Sequence, residues 1–510
     1  MKKIKHIIIQ AGGKGSRLMR LTENKPKALV SVNGEPLLFR VLNQYPDAEF
    51  FIICDYKKDL LINYLKTFCH ANYTIIEAVG TGTNSGIAAA LKKIPENEPI
   101  LITWCDLYFK KPIAFEEMEI GKKNYLGLSK KFSCRWSFKN NELVEERSST
   151  SGVAGIYIFK NKLKISDIPR DGEFCRYLKD KKIIFDKFFL NQAAEIGTLA
   201  DYENFTKKLS NTRPFNKMIM KKDRVIKYPI TAQGEEIATF ERGWYEWAKK
   251  FNWNFIPKVY KNSPLVLQRI HGESLFKYQL QKNEKEIILE EIISSIKKIH
   301  SSEKTDNQNH EENDHESIIG KTKKRLDSIS HLIPNINNDF FYINELKCVN
   351  FYKHWDKVEQ LCAPLIKNNH YSPIHGDITF SNIILEESTR KPFFIDPRGY
   401  YGKSIIFGDP DYDWAKVYYS IAGNYDQFNR KNFNLKIDSE NVQLSIDSSG
   451  WEDFSELYLK KIARDPNKIK IYHAIIWLSL TSYAWDDYDS ICGAFYNGIK
   501  LMQKIYEETF

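Results

Sequence analysis

The chain has 510 residues, which is enough for two or three domains that each bury their own core. Hydrophobic residues make up 42% and charged residues 27% of the sequence, as is ordinary for a soluble globular protein. The net charge of +10 arises without a dense basic run, so we expect phosphorylated small ligands and no nucleic-acid partner.

Cysteine spacing and hydropathy exclude further classes. The eight cysteines form no CxxC pair, which favours reduced thiols in a cytoplasmic protein over a disulfide framework or a zinc site. The longest apolar stretch, 471–485, contains polar residues and is too short to span a bilayer. We therefore expect a buried helix there and no membrane insertion. The sequence is compatible with an oligomer.

The first two hundred residues alternate between predicted strands and helices. The strands are predicted at 4–10, 49–55, 73–78 and 99–104. Pro36 is expected to open the first helix and Asn84 to cap the third. This alternation predicts an α/β domain with a doubly wound, mostly parallel, Rossmann-like sheet and ligands at the carboxyl ends of its strands. Short strands follow between 125 and 160, and a helix near Leu209 closes the domain, 1–209.

A second region begins after residues 213–215. Residues 218–229 are predicted as a β-hairpin, 235–251 as a helix and 264–270 as a strand, and helices dominate to the end. Residues 301–316 hold six carboxylates and almost nothing apolar, which predicts a mobile surface loop or a hinge.

The motif AGGKGSRL directly follows the first predicted strand. Gly12, Gly13 and Gly15 would let the backbone bend tightly and turn its N–H groups toward a phosphate. Arg17 and Lys27 would bring positive charge to a triphosphate. A purely structural turn is the alternative, because the motif is neither a P-loop nor a dinucleotide fingerprint.

Two carboxylates are candidates for a magnesium site in the same domain. Asp106 follows the strand ILITW, and Glu195 begins the segment EIGTLADY. Acidic side chains from distant strands can hold a Mg²⁺ ion that bridges phosphates. Alternatively, both are surface charges at strand ends.

A third motif, IHGDITFSN (374–382), is followed by FFIDPRG. In a phosphoryl-transfer site, Asp377 would accept the proton of an attacking hydroxyl, while Asn382 and Asp396 would hold Mg²⁺. Arg398, in the unusual continuation after Asp396, is expected to contact a phosphate or a neighbouring carboxylate.

The motif order AGGKGSRL, KPKALVSVNGEPLL, GTGTNSGIAAAL, CDLYF, GIYIF, EIGTLADY resembles the nucleotidyltransferase family that makes NDP-sugars and CDP-alcohols. The resemblance covers about residues 1–209. It implies that the loop glycines and Arg17 hold the triphosphate and that Lys27 steadies the α-phosphate and the incoming phosphate. The base would be read by Gln10, Gly80 and Ser85. Mg²⁺ would be held by Asp106 and Glu195, although the family usually has Asp at the second position.

Residues 215–510 resemble the aminoglycoside phosphotransferase and choline kinase branch of the protein-kinase-like fold. This implies a bilobal α+β domain with an N-lobe at 210–270 and a C-lobe at 271–510. The implied contacts to ATP are Lys227 at the phosphates, held by Glu241, and Leu267, Gln268 and Ile270 beside adenine. Asp409 and Asp413 would brace the catalytic loop. Lys227 is alternatively an ordinary exposed hairpin lysine.

The sequence gives little indication of which acceptor substrate is bound. WDDYD (485–489) would suit a cation through Asp486, Asp487 and Trp485. A solvated helix end is the alternative.

Together these resemblances predict a bifunctional enzyme. Its kinase half would phosphorylate a small alcohol or sugar with ATP, and its nucleotidyltransferase half would join the product to a nucleotide from an NTP, with CTP favoured and Mg²⁺ in both halves. Such fusions resemble bacterial choline kinase–phosphocholine cytidylyltransferase proteins that supply surface glycan synthesis. The alternatives are an anomeric sugar kinase with a sugar-1-phosphate uridylyltransferase, or one active half beside a nucleotide-binding regulatory domain.

Overall fold

The computed structural model describes residues 3–113, 115–116, 118–206, 216–303, 310–366, 370–438 and 441–510. Contacts between Cα atoms divide the chain into two units, Met1–Ser210 with Asp486–Tyr488, and Asn211–Trp485 with Asp489–Phe510. Within the described ranges, no helix is long and apolar enough to cross a membrane.

The first unit alternates strands and helices, which confirms the predicted α/β pattern. Its strands are β1 (His6–Gln10), β2 (Glu49–Cys54), β3 (Asn72–Glu77), β4 (Ile100–Trp104), β5 (Leu107–Phe109), β6 (Tyr125–Ser129), β7 (Ser137–Lys139), β8 (Glu142–Val144), β9 (Gly152–Phe159), β10 (Asp186–Phe189) and β11 (Ala193–Glu195). Its helices are α1 (Leu37–Gln44), α2 (Lys58–Phe68), α3 (Asn84–Lys93), α4 (Phe174–Asp180) and α5 (Leu199–Thr206). The predicted closing helix is α5, and Leu209 lies outside the described residues.

The central sheet of this unit is mixed and mostly parallel, with the order β10-β6-β9-β4-β1-β2-β3. β1 runs parallel to both β2 and β4, whereas β9 is antiparallel to β4 and β6. Gln10 pairs with Trp104, so β1 and β4 end side by side. The glycine loop after β1 and Asp106 after β4 therefore start from the same edge of the sheet.

Apolar residues on one side of the sheet form a continuous core with α3 and α4. Ile8, Ile53 and Ile102 contribute from the strands, and Ile87 and Leu91 from α3. The β-branched residues favour strands, and the i, i+4 spacing on α3 keeps its apolar face on the sheet.

The expected cap of α3 is wrong. Asn84 is the first helical residue, and Thr83 precedes it as the N-cap. The Asn84 amide instead donates to the carbonyl of Asp171 at 3.1 Å. The Asn84 side chain thus binds a residue 87 positions away in the chain, whereas local sequence predicts that it caps the helix.

From residue 216 onward the strands are β12 (Asn216–Met220), β13 (Arg224–Pro229), β14 (Val259–Lys261), β15 (Leu265–Gln268), β16 (Gly272–Ser274), β17 (Phe340–Ile343), β18 (Leu346–Val349), β19 (Ser372–Pro373), β20 (Ile383–Glu386), β21 (Pro392–Phe394), β22 (Tyr400–Tyr401), β23 (Ser404–Ile405), β24 (Phe407–Gly408), β25 (Phe433–Ile437) and β26 (Asn441–Ile446). The helices are α6 (Ala232–Ala248), α7 (Lys282–His300), α8 (Glu311–His315), α9 (Lys321–Ile329), α10 (Trp355–Ile366), α11 (Pro410–Ile421), α12 (Tyr425–Asn429), α13 (Ser455–Ile462), α14 (Pro466–Leu480) and α15 (Tyr488–Thr509).

The second unit begins with an antiparallel sheet of order β12-β13-β15-β14, against which α6 packs. The predicted hairpin, helix and following strand are confirmed as β12–β13, α6 and β15. A second antiparallel sheet, β16-β20-β21, presents the segment that contains Asn382 and Asp396. The predicted buried helix is confirmed as α14, which carries Tyr472 and Trp477 in the core.

The predicted mobile loop at 301–316 is wrong at Glu311–His315, which form a helix. Residues 304–309 lie outside the described ranges, but α8 covers Glu311–His315. Asp314 is 0% exposed and accepts a hydrogen bond from the Tyr371 hydroxyl at 2.7 Å. Asn313 donates to the Tyr371 hydroxyl and to the Tyr401 carbonyl. Short polar side chains anchor this segment by hydrogen bonds, which a count of apolar residues does not detect.

Replacing Asp314 by alanine is expected to lower the free energy of unfolding by about 1–3 kcal/mol, because the buried Tyr371 hydroxyl loses its acceptor. Thermal and denaturant unfolding would measure the change. Glu312→Ala on the same helix is the control, since the Glu312 side chain is 92% exposed. Equal, small effects of both substitutions would show that α8 is not anchored through Asp314.

Candidate active sites in the two units

The glycine loop of the first unit bends back against β2 and Lys27. The carbonyl of Gly12 accepts from Tyr56 N at 3.1 Å, and that of Gly13 accepts from Lys27 N at 3.3 Å. Gly15 has a φ of +69°, and a Cβ there would lie 2.9 Å from the Lys27 Cβ. Glycine at position 15 is therefore required by both conformation and space.

Lys27 and Asp106 meet at the edge where β1 and β4 end. The Lys27 ammonium donates to Asp106 Oδ2, and both side chains are largely buried. Burial alone would lower the pKa of Lys27, but the attraction of Asp106 raises it above its ordinary value. Lys27 is thus held as a cation beside the loop.

Glu195 lies next to this pair because β11 pairs with β5. Glu195 is opposite Leu107, and Ile196 N donates to the carbonyl of Asp106 at 2.9 Å. Burial, and then the neighbouring Asp106 carboxylate, raise the pKa of Glu195, as expected for two acids brought together. A cation placed between them would relieve that repulsion.

Gly197 and Arg17 complete this corner. A Cβ at Gly197 would lie 2.8 Å from Glu195 Oε1 and 3.6 Å from a terminal nitrogen of Arg17. A side chain at position 197 would therefore displace the carboxylate. Gly197 is not among the residues predicted from sequence, although it follows Glu195 in the EIG motif.

The three residues expected to read the base lie around the start of α3. Gln10 Nε2 donates to the Thr83 carbonyl at 2.8 Å. Ser85 is buried, and its hydroxyl has no hydrogen-bond partner among the described residues. Gly80 has a φ of +133°. Asp171, which the sequence analysis missed, accepts from Thr81 N at 2.6 Å and so fixes this loop.

In the second unit, one lysine joins two carboxylates from distant segments. Lys227 Nζ lies 2.6 Å from Glu241 Oε1 and 2.9 Å from Asp396 Oδ1. Burial would lower the pKa of Lys227, but Asp396 and Glu241 outweigh burial and raise it. Lys227 is only 7% exposed, so the alternative of an ordinary exposed hairpin lysine is wrong.

Asp377 is held by an amide and by a lysine. Asn382 Nδ2 donates to Asp377 Oδ2 at 2.8 Å, and Lys416 Nζ lies 2.8 Å from Asp377 Oδ1. Ile395 N donates to the carbonyl of Asn382 at 2.9 Å, which connects this group to Asp396. Lys416 was not found in the sequence analysis, although it lies one helical turn after Asp413.

Asp413 braces the loop before Asp377, whereas the Asp409 carboxylate binds Asp411 N, Tyr472 and Lys468. Asp413 accepts from His375 N at 2.9 Å and from Gly376 N at 2.7 Å. Asp409 caps α11 by accepting from Asp411 N at 2.9 Å. The expected bracing of this loop by direct hydrogen bonds is therefore confirmed for Asp413.

The residues expected beside adenine lie along β15 and just after it. The Gln268 side-chain oxygen accepts from Lys258 N at 3.3 Å, and Ile270 is buried. Lys227 pairs with Leu265 in the adjacent strand, so Gln268 is three residues further along the same sheet.

The donor sets of both units suit Mg²⁺, which prefers oxygen ligands. In the second unit, Asn382 uses its amide nitrogen toward Asp377, which leaves its oxygen for a metal beside Asp396. In the first unit, the raised pKa of Glu195 beside Asp106 fits a place for a cation. The described ranges contain no cluster of three or more His, Cys, Asp or Glu side chains that could hold a metal.

Lys321 lies near three other cationic side chains, one of which, Lys416, contacts Asp377, and we call these four the cationic cluster. They are Lys321 and Arg325 on α9, Arg398 after β21, and Lys416 on α11. Arg398 is the one member of the cationic cluster that was predicted from sequence. The four side chains come from three separate segments, so no single motif contains them.

Tyrosine and serine side chains hold the two arginines of the cationic cluster. Arg398 donates to the Tyr412 hydroxyl at 3.1 Å. Arg325 donates to Ser479 Oγ at 2.6 Å, and its guanidinium carbon lies 4.3 Å from the Tyr483 ring centroid. Neither arginine has a carboxylate among these partners.

Lys321 is the member of the cationic cluster whose positive charge is least balanced by neighbouring groups. Burial, with repulsion from Arg398, Arg325 and Lys416, lowers the pKa of Lys321 to about 6. No described carboxylate opposes this shift.

Replacing Lys321 by methionine is therefore expected to raise the melting temperature most below pH 6. There the lysine is charged in both the folded and the unfolded chain, so the full penalty of the buried charge is present. The gain falls as pH rises and disappears above the unfolded pKa of about 10.4. Melting curves between pH 5 and 10 would measure it, with Lys324→Met as control. A gain that is independent of pH would contradict the lowered pKa.

The WDDYD segment is not a solvated helix end. Asp486–Tyr488 belongs to the first unit, where Asp487 is buried and lies 2.5 Å from Lys25 Nζ.

Residues 7–118 match the MobA-like NTP transferase domain. The chain is 26% identical over 194 residues to the bifunctional protein GlmU of Buchnera aphidicola, covering 37% of this chain and 38% of the relative. It is 29% identical over 147 residues to glucose-1-phosphate cytidylyltransferase of Salmonella typhimurium, covering 23% of this chain and 57% of the relative. The crystal structure of HddC from Yersinia pseudotuberculosis has 23% identity and a TM-score of 0.35, with 40% of this chain and 99% of that chain covered.

The chain spans 38% and 57% of the lengths of these two curated relatives. Its N-terminal region is a MobA-like NTP transferase domain with nucleotidyltransferase homologues.

Proposed function

We propose that the chain is a bifunctional enzyme that phosphorylates a small alcohol or sugar with ATP and then transfers a nucleotidyl group to the product. Phosphorylation belongs to the second unit and nucleotidyl transfer to the first. The product is an NDP-activated precursor of the kind used in surface glycan synthesis.

The observation that carries the first step is the network around Lys227 and Asp377. Lys227 and Glu241, on consecutive elements, and Asp396, 169 residues after Lys227, form two ion pairs. Asp377 and Asn382 join them through the backbone bond from Ile395 to Asn382. An aspartate beside an amide, with a carboxylate-held lysine nearby, supplies the groups that phosphoryl transfer requires.

In this step the acceptor hydroxyl gives its proton to Asp377. Its oxygen bonds to the γ-phosphorus of ATP, the bond from that phosphorus to the β–γ bridging oxygen breaks, and ADP leaves. Lys227 binds the phosphates of ATP, with Gln268 and Ile270 beside adenine. Mg²⁺ held by Asn382 and Asp396 would neutralise charge on the triphosphate.

The second step is supported by the NTP transferase match and by the corner around Lys27. A phosphate oxygen of the phosphorylated acceptor attacks the α-phosphorus of the NTP, the bond to the α–β bridging oxygen breaks, and pyrophosphate leaves. Gly12, Gly13, Gly15 and Arg17 bind the triphosphate, and Lys27 holds the two reacting phosphates together. Mg²⁺ held by Asp106 and Glu195 would offset their charge.

The nucleotide is read by Gln10, Gly80 and Ser85 at the start of α3. The unpartnered Ser85 hydroxyl supports a ligand contact there. The name of the Salmonella relative, glucose-1-phosphate cytidylyltransferase, favours CTP and a sugar phosphate. UTP with a sugar 1-phosphate is the alternative pair.

Mass spectrometry after incubation with ATP, each NTP in turn, and pooled alcohols and sugars tests the proposal. We expect ADP, pyrophosphate and a new NDP-linked product that requires both ATP and one NTP. Pyrophosphate release from added sugar phosphates without any ATP turnover would contradict the kinase function and indicate that the second unit is a regulatory domain.

A further inference from the structure

The cationic cluster concentrates positive charge where the proposed function places the acceptor. Lys416 contacts Asp377 at 2.8 Å, and the Arg398 backbone donates to the His375 carbonyl at 2.8 Å. A Cβ on Gly376 would lie 2.9 Å from the Arg398 Cβ. Arg398 is thus packed against the residue that precedes Asp377.

The charge of the cluster is poorly balanced within the described ranges. Asp377 is the carboxylate that it reaches, and Lys416 already pairs with it. Arg325 and Arg398 are left with hydroxyls, a backbone carbonyl and aromatic rings. Bringing like charges together and partly burying them costs stability, so the arrangement indicates a ligand that offsets the cost.

The geometry of the arginines suits an oxyanion. Each guanidinium is fixed by hydroxyl partners, and Arg398 also stacks on Tyr400, with 4.5 Å between its guanidinium carbon and the ring centroid. Fixed guanidinium groups bind carboxylate and phosphate oxygens through parallel N–H donors. All four side chains of the cluster are half-buried, so they lie neither in the core nor on a free surface.

We propose that the acceptor phosphorylated by the second unit carries an anionic group, a carboxylate or a phosphate, which Lys321, Arg325 and Arg398 bind while its hydroxyl faces Asp377. This inference rests on the proposed kinase function. It argues against a cationic alcohol such as choline as the acceptor, since Arg325 and Arg398 would repel it.

The first test measures the binding of inorganic phosphate to the full chain by titration calorimetry. The variants are Lys321→Met/Arg325→Gln and, as control on the same helix, Lys324→Met, whose side chain is 72% exposed. We expect the double variant to bind phosphate at least tenfold more weakly and Lys324→Met to bind it like the wild type. Equal binding by all three proteins would overturn the proposal. Melting curves would confirm that the variants are folded.

Acceptor preference distinguishes the two oxyanions. The panel is glucose, glucosamine, choline, glucuronate and glucose 6-phosphate, each assayed for ADP formation and for binding. We expect ADP formation with glucuronate or glucose 6-phosphate to exceed that with glucose by at least tenfold. The preferred acceptor identifies the oxyanion as a carboxylate or a phosphate. A preference for choline, glucosamine or glucose would overturn the proposal.

The kinetic constants separate this inference from failure of the kinase assignment. The double variant should raise KM for the anionic acceptor and leave KM for ATP unchanged; a raised KM for ATP alone would assign the cluster to the ATP phosphates and overturn the proposal. If no acceptor is phosphorylated while the double variant still loses anion binding, the kinase assignment fails and the anion site stands.

Discussion

Replacing Asp377 by asparagine is expected to lower ATP-dependent phosphorylation of the acceptor by about 10²–10⁴-fold, because the variant has no carboxylate to accept the hydroxyl proton. An asparagine side chain has the same shape and keeps one of the two oxygens that Asn382 and Lys416 contact separately in the wild type. The rate should therefore fall without unfolding of the second unit. ADP formation in a coupled assay measures it.

The same variant tests the order of the two steps. Formation of the NDP-linked product from acceptor, ATP and NTP should stop, and supplying the phosphorylated acceptor directly should restore it fully. Asp438→Asn is the control, since its side chain is 69% exposed. A variant that still makes product from unphosphorylated acceptor would show that phosphorylation is not the first step. A variant that fails even with the phosphorylated acceptor would give the second unit a supporting role instead.

Much of the first unit could be predicted from local sequence. Its parallel strands are short β-branched runs, such as HIIIQ and ILITW, and the residues expected to bind phosphates follow them directly. Parallel pairing of β1 with β4 then places the glycine loop and Asp106 at one edge, as the alternation of strands and helices predicts. The same holds for the hairpin that carries Lys227, because its strands are adjacent in the chain.

What escaped prediction depends on contacts between distant segments. Lys321, Arg325 and Lys416 are common surface residue types on helices, and only the tertiary structure brings Lys321 near Arg325 and Lys416, and Lys416 to Asp377. Asp314 was assigned to a loop because its neighbours are polar, yet it is anchored by Tyr371, 57 residues away. Polar residues that are buried by partners far along the chain give no periodic signal.

Replacing Asp106 by asparagine is expected to abolish nucleotidyl transfer while phosphorylation stays within a few-fold of the wild type. Asp106 holds the Lys27 ammonium and lies beside Glu195, so the change removes one of two acids proposed to bind Mg²⁺ and the charge that fixes Lys27. Loss of a positioned electrostatic group typically costs about 10²–10³-fold in rate. Asp377 and Lys227 belong to the other unit and keep their own partners.

Pyrophosphate release and ADP formation, measured in parallel on the same preparation, check this expectation. The variant should accumulate the phosphorylated acceptor from a mixture of acceptor, ATP and NTP. Asp186→Asn in the same unit is the control, because Asp186 is half-exposed and its partner is the exposed Lys123. Since the two chemical steps use separate sets of residues, an equal loss of both activities in a folded Asp106→Asn protein would contradict the two-site mechanism itself.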